Sequence, residues 1–202
     1  MDKNFERLTA SQFIRTSQKN ESDWEWIEEI LLEVELVVDS YEQPRERPVD
    51  SQEHNKYYSG KKKTHSFKNQ VIVMPNGKEI VDVVVGYPGA TSDITLWRER
   101  RKELGKEQKY IGDLAYVGEA AINTPHKKPI HQKISVEKKE ENRLKAKERI
   151  VVEHLIRLIK IYRVASERFR LNRQNYESVI LTVCGLIRWR IGAIVIRAKN
   201  CE

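Results

Sequence analysis

Four stretches of the chain show the hydrophobic pattern of β-strands, because they are either continuously apolar or alternate between apolar and polar positions. Two of them flank Asn76-Gly77, a pair that favours a hairpin turn since both residues tolerate a positive φ. Longer stretches repeat their apolar positions with helical periodicity. The order of these elements predicts an α/β fold, with helices on both faces of a mixed sheet. The predicted strands are 33–40, 64–73, 79–87 and 109–116, and the predicted helices are 94–104, 137–162 and 174–196.

Polar stretches separate these elements and are predicted to be loops. Residues 41–63 are rich in proline and charge, and residues 117–136 carry a basic run of their own. Residues 1–30 are also polar; they could hold two short helices but cannot supply a separate core. We therefore expect a short N-terminal arm, 1–30, followed by one domain, 31–202.

The segment 149–160, RIVVEHLIRLIK, is apolar around most of its circumference when it is wound as a helix. Such a helix is expected to be largely buried, since Val and Ile give little intrinsic helix propensity. Its charged residues fall within about 80° of one another. They are Arg149, Glu153, Arg157 and Lys160. This stripe is either an ordinary helix face, with a Glu153–Arg157 pair worth only tenths of a kcal/mol, or part of a functional site.

The charge of the chain narrows the choice of partner. It carries 37 Lys and Arg against 30 Asp and Glu, a formal net charge of +7, and its pI is about 9.3. That balance favours a polyanion, nucleic acid first, with a merely soluble basic protein as the alternative. Cys184 and Cys201 are the only cysteines, so no disulfide framework and no cysteine-based zinc site is expected, and a reducing cytosol fits. The longest apolar run is far too short for a membrane span.

Three carboxylates form a candidate metal site. Asp39 and Asp113 end two predicted strands, and Glu153 lies on the charged stripe. Ligands of open α/β sheets gather at the carboxyl ends of strands, where three carboxylates repel one another unless a cation binds. Oxygen ligands favour Mg²⁺ or Mn²⁺, and two such ions about 4 Å apart can activate a water and stabilise the leaving oxygen of a phosphodiester. The pattern therefore indicates nuclease or strand-transfer chemistry.

Several longer motifs point the same way. They are EQPRERP (42–48), YYSGKKKTH (57–65), GDLAY (112–116), TPHKKPI (124–130) and the spacing Arg149-x₃-Glu153-x₆-Lys160. Together they resemble the DDE transposases of the insertion-sequence and Harbinger-like superfamily, and the last spacing resembles the Y-R-E-K signature of those enzymes. The resemblance covers about residues 33–196 and implies that the mixed α/β sheet is ribonuclease-H-like.

The resemblance also implies a DNA transposase catalytic domain, in which Asp39, Asp113 and Glu153 are the catalytic acids and the ligands of two Mg²⁺ or Mn²⁺ ions. Such an enzyme hydrolyses a phosphodiester at the transposon end and transfers the 3′-OH into target DNA. The expected partner is double-stranded DNA, bound by a dimer in the cytoplasm, on the nucleoid and away from membranes. Relatives usually carry an upstream helix-turn-helix region, for which residues 1–30 are expected to be too short.

Basic residues of the loops and of the charged stripe are the expected DNA contacts, because phosphates dominate nucleic-acid affinity. The lysine run after Gly60 is expected to enter a strand, and for this run a solvated sheet edge that blocks pairing is the alternative. The candidate DNA-binding residues are Lys61, Lys62, Lys63, Lys127, Lys128, Arg149, Arg157 and Lys160.

A few other residues can be assigned in more than one way. Asp93 opens a predicted helix, so it either caps that helix or takes an auxiliary place beside the acids. His126 and His131 have no cysteine partners, and zinc is not expected there. Trp97 and Trp189 are expected to lie in the hydrophobic core.

Two other functions stay open from the sequence. A simple metal-dependent nuclease without strand transfer would use the same acids. The second open function is a DNA-binding transposase remnant with impaired catalysis. Ala146 stands where the tyrosine of the Y-R-E-K signature would fall.

Overall fold

The computed structural model describes residues 31–101, 107–129 and 134–191. The strands are β1 (Leu36–Pro44), β2 (Tyr58–Ser59), β3 (Thr64–Val73), β4 (Ile80–Pro88), β5 (Tyr110–Ile111) and β6 (Ile122–Asn123). The helices are α1 (Ser51–Tyr57), α2 (Asp93–Arg101), α3 (Val136–Ile161), α4 (Arg163–Ser166) and α5 (Tyr176–Arg190), with 3₁₀ helices at Leu114–Tyr116 and Arg173–Asn175.

The strands form one mixed sheet in which β1 lies between β3 and β5. β1 pairs antiparallel with β3 from Val37↔Val73 to Pro44↔Ser66, and β3 pairs antiparallel with β4. On the other side, β1 pairs parallel with β5, and β5 pairs parallel with β6. The short β2 joins the first residues of β3. This order confirms the prediction of a ribonuclease-H-like mixed sheet.

Residues of β1 alternate between two hydrophobic cores, one on each face of the sheet. Val37 and Tyr41 belong to the core that also contains the buried residues of α3 and α5. Leu36 and Val38 belong to the second core, which contains Trp97 of α2. Trp97 is fully buried, so its predicted place in the core is confirmed, as are helices on both faces.

The two long helices lie close to their predicted positions. α3 begins one residue before the predicted 137–162, where the Ser135 hydroxyl accepts a hydrogen bond from the Lys138 N–H. α5 ends at Arg190. Three predictions concern residues outside the described ranges, namely the end of the last helix at 192–196, the arm 1–30 and the role of His131. No helix within the described ranges is long and apolar enough to cross a lipid bilayer.

The predicted burial of Trp189 was wrong, because its side chain is 83% exposed. The buried stripe of α5 includes Ile180, Val183 and Ile187, at intervals of three and four residues. Trp189 lies about 200° around the helix from Ile187, which places it on the outer side.

Several boundaries around β1 and β5 also differ from the prediction. β1 continues to Pro44, so the predicted loop 41–63 contains the end of that strand, α1 and β2. The predicted strand 109–116 is only the two-residue β5 followed by a 3₁₀ helix.

The polar composition of β1 explains the first of these errors. Gln43 is fully buried, and its side-chain Nε2 donates to the carbonyl oxygens of Val164 and Glu167 at 2.7 and 2.9 Å. Polar side chains can be buried in a strand when hydrogen bonds satisfy them. The sequence of such a strand is as polar as that of a loop, so its hydrophobicity pattern predicts a loop.

Candidate active site

Asp39 lies within β1, where that strand loses its parallel partner, and not at a strand end as predicted. Among the described residues β5 pairs with β1 only at Leu36 and Val37, so the next part of β1 has an open edge. The Asp39 carboxylate is half-buried there, and its Oδ1 accepts from the Ser40 N–H at 2.8 Å. The strand from Asp39 to Glu42 lines a cleft of about 300 Å³, which we call the acidic cleft.

The electrostatic surroundings of Asp39 set it apart from an ordinary surface carboxylate. Burial raises the pKa of Asp39 from 3.8 to about 6, against the lowering effect of the Ser40 N–H. The value of about 6 also includes the negative charges of Asp113 and Asp93, which raise the pKa, and the positive charge of Arg149, which lowers it. A partly desolvated carboxylate between two like charges is a place where a bound cation is stabilising.

Asp113 is separated from the end of β5 by Gly112 and caps the next 3₁₀ helix, with its Oδ1 accepting from the Ala115 N–H at 2.8 Å. At the other end of this helix, the Tyr116 hydroxyl lies 2.9 Å from Ser40 Oγ and accepts from Gln70 Nε2 at 3.1 Å. These hydrogen bonds hold the Asp113 segment against β1 and β3. The two aspartates, 74 positions apart in the sequence, therefore act on each other electrostatically.

Glu153 belongs to the same cleft but not to the same cluster. It is exposed on α3 and lines the acidic cleft together with Asp39. Within the described ranges, no three His, Cys, Asp or Glu side chains lie close enough together to hold a metal ion. The structure thus links Asp39 to Asp113 by charge and to Glu153 by the cleft, without joining all three carboxylates in one ligand set.

Four of the predicted DNA-binding residues line the acidic cleft, namely Lys61, Lys62, Arg157 and Lys160. The lysine run was predicted to enter a strand. It instead forms the exposed turn between β2 and β3. Lys63 closes this turn with a φ of 52°, in the left-handed region that suits a turn and not a strand. The cleft therefore has basic residues along two of its sides, from the turn and from α3.

Lys160 lies over a ring at the edge of the cleft. Its Nζ is 5.3 Å from the centre of the Tyr41 ring, a cation–π distance. Desolvation lowers the pKa of Lys160, and the charge of Lys62 lowers it too, while Asp39 raises it. The positive charges of Lys160 and Lys62 therefore lie close together, and both lysines line the acidic cleft.

The remaining candidates lie outside this cleft. Arg149 acts on Asp39 through its charge, and its buried Nε has no hydrogen-bond partner among the described residues. Lys127 and Lys128 are exposed after β6, and Lys127 lines a separate cleft. In the same loop His126 Nε2 lies 2.6 Å from Glu141 Oε2, so its ring has a carboxylate partner.

Lys68 is a site residue that the sequence analysis missed. It is only 7% exposed on β3, and its Nζ forms an ion pair with Asp93 Oδ1 at 3.0 Å; both residues line the acidic cleft. Asp93 is not the cap of α2, because the Ser92 hydroxyl accepts from the Thr95 N–H at 3.2 Å. The available signal was a lysine inside a strand, SFKNQ, which needs a partner if it is buried.

The acids fit the divalent cation that the fold family implies. Their donors are carboxylate oxygens, and the raised pKa of Asp39 reflects burial and like charges that a cation would offset. Asp39 and Asp113 would hold such an ion, and Glu153 is the carboxylate on the α3 side of the cleft.

Comparison with known proteins agrees with this geometry. Residues 38–188, a range that includes Asp39, Asp113 and Glu153, match the family described as DDE superfamily endonuclease. The chain is 31% identical over 160 residues to a probable transposase for insertion sequence element IS702 from Microchaete diplosiphon. This alignment covers 77% of the chain and 57% of the relative, so the chain spans a little over half the length of that protein. No solved structure matches the chain.

Proposed function

Because the chain belongs to the DDE superfamily endonuclease family, we propose that residues 31–202 act as the catalytic domain of a DNA transposase. The domain hydrolyses a phosphodiester at a transposon end and then directs the 3′-OH at target DNA. One observation carries the proposal. Asp39, with a pKa of about 6 in the field of Asp113, lies in a cleft that Glu153 and several cations also line.

The acids and bases of the cleft have separate tasks in this proposal. Bound Mg²⁺ or Mn²⁺, two ions in the full site, would activate a water and stabilise the leaving oxygen. Asp39 and Asp113 would hold the metal, and Glu153 would contribute its carboxylate from the α3 side of the cleft. Lys62 and Lys160 contact phosphates of the bound strand, since both carry a positive charge and line the cleft beside the acids.

The test of cleavage compares charge-neutral variants with a matched control. Asp39→Asn, Asp113→Asn and Glu153→Gln should each lower Mn²⁺-dependent nicking of a plasmid carrying the element's end by on the order of 100-fold or more. Glu148→Gln removes an exposed carboxylate of the same helix that does not line the cleft, and it should nick like the wild type. Titration calorimetry with Mn²⁺ should show weaker binding by the first three variants only. Wild-type nicking by all three would refute the proposed site.

Strand transfer needs its own assay. A pre-nicked element end with a free 3′-OH should be joined to a target plasmid by two copies of the protein acting together. Nicking without joining would instead support a metal-dependent nuclease, and DNA binding without nicking would support a catalytically impaired protein. We place the reaction in the cytoplasm, on nucleoid DNA.

A further inference from the structure

A second cleft lies apart from the acidic cleft and shares none of its lining residues. It encloses about 580 Å³ between the parallel edge strand β6, the loop after it and the first half of α3. Three lysines line it, Lys109, Lys127 and Lys145, against one carboxylate, Glu35. We call it the basic cleft. Its charge suits a polyanion.

The loop that forms one wall of the basic cleft is fixed to α3. The Asn142 side chain makes two hydrogen bonds with the backbone of His126, accepting from its N–H at 2.7 Å and donating to its carbonyl oxygen at 3.0 Å. Lys145 Nζ donates to the carbonyl oxygen of Thr124 at 2.9 Å, and an ammonium group has three N–H donors in all. The basic wall is therefore ordered before any ligand binds.

The two clefts are connected by α3. Lys145 and Glu153 are eight residues apart on this helix, which corresponds to about 12 Å along its axis. Arg149 lies between them, one turn from each. Phosphates of one DNA strand are spaced at roughly 3.4 Å along the duplex axis, so 12 Å spans about three to four nucleotides.

From this placement we propose that the basic cleft binds the DNA backbone about three to four nucleotides from the phosphodiester held in the acidic cleft. Lys109 and Lys127 contact phosphate there, and Lys145 supports the loop that carries Lys127. The inference rests on the proposed function, because the distance of three to four nucleotides is counted from the scissile phosphate in the acidic cleft. It adds a second point of contact, which fixes the direction of the DNA across the domain.

The first test measures phosphate contacts and needs no catalysis. The Lys109→Ala/Lys127→Ala variant should reduce the slope of log Kobs against log salt by about two, for a duplex of 20 base pairs or so. The control is Lys56→Ala/Lys78→Ala, which removes two exposed lysines that line neither cleft and should leave the slope unchanged. The proposal is overturned if the slope is unchanged in Lys109→Ala/Lys127→Ala, or if it falls equally in this variant and in the control. The basic cleft would then be a candidate site for a protein partner.

The second test locates the contact. In a duplex that the wild type nicks with Mn²⁺, single phosphates around the mapped nick are replaced one at a time by neutral methylphosphonates. Binding by the wild type should weaken most at a position three to four nucleotides from the nick, and this sensitivity should disappear in Lys109→Ala/Lys127→Ala. Sensitivity confined to the nick itself overturns the proposal. If no duplex is nicked, the proposed function fails, while the salt dependence still decides whether the basic cleft binds DNA.

Discussion

The Tyr116 hydroxyl lies 2.9 Å from Ser40 Oγ, joining two residues that are 76 positions apart in the sequence. Ser40 follows Asp39, and Tyr116 closes the 3₁₀ helix that Asp113 opens. The hydrogen bond therefore spans the two segments that carry the aspartates. Burial raises the pKa of Tyr116 well above its usual range, so the hydroxyl stays protonated and can donate to Ser40 or to a neighbour.

We expect this hydrogen bond to hold Asp39 and Asp113 at the separation that metal binding requires. Tyr116→Phe and Ser40→Ala should each lower the free energy of unfolding by about 1 kcal/mol, because a buried partner is left unsatisfied. In a double-mutant cycle the two effects should overlap, with a coupling of about 1 kcal/mol. Mn²⁺ affinity, measured by calorimetry, should fall in both variants while both remain folded. Additive losses of stability with unchanged Mn²⁺ affinity would show that the bond serves the fold alone.

The raised pKa of Asp39 makes stability depend on pH. Folding raises this pKa from 3.8 to about 6, so the neutral carboxyl is favoured in the folded state. The resulting stabilisation is complete below pH 3.8 and is lost as the pH rises through 6. The free energy of unfolding of Asp39→Asn should therefore rise relative to that of the wild type by roughly 2 kcal/mol between pH 4 and pH 7, in urea unfolding without divalent ions.

The control for that comparison is Glu148→Gln, an exposed substitution that should follow the wild type at both pH values. Mn²⁺ at pH 7 should stabilise the wild type more than Asp39→Asn, because only the wild type offers the carboxylate. A difference between wild type and Asp39→Asn that does not change with pH would contradict the assigned pKa.

Two neighbours of Asp39 should move its pKa in opposite directions. Asp93→Asn removes a negative charge and should lower the pKa of Asp39 below about 6. Arg149→Gln removes a positive charge and should raise it. Carboxyl carbon chemical shifts, followed by NMR from pH 3 to pH 8, report both changes directly. Shifts in the same direction for both variants would mean that the substitutions act through altered burial and not through charge.

The sequence predicted the elements that follow a simple hydrophobic period. α3 was placed to within one residue at each end, because apolar residues surround most of its circumference and Ser135 marks its start. The identities of Asp39, Asp113 and Glu153 as site candidates also came from pattern and resemblance. Their arrangement did not, since Asp39 was expected at a strand end and lies within β1.

What the sequence concealed was polar burial. Gln43 and Lys68 are buried in the sheet because partners distant in sequence satisfy their polar groups. Gln43 donates a hydrogen bond to the carbonyl oxygen of Val164, and Lys68 forms an ion pair with Asp93. A pattern of hydrophobicity assigns such residues to solvent. The same reasoning explains why Lys68 was not proposed as a site residue, since Asp93 follows it only after another strand and a turn.

The position of Lys160 on α3 leads to the final prediction. Its Nζ lies over the Tyr41 ring at the edge of the acidic cleft, within reach of an anion that Lys62 also attracts. Lys160→Ala should weaken duplex binding and reduce the slope of log Kobs against log salt by about one, as expected for one lost phosphate contact. Lys147→Ala is the matched control, since Lys147 is exposed on the same helix, about 120° from Glu153, and lines neither cleft. The control should keep both the slope and the affinity. A large fall in melting temperature for Lys160→Ala with an unchanged slope would assign the lysine to packing against Tyr41, and the acidic cleft would then have to bind the strand through Lys61, Lys62 and Arg157.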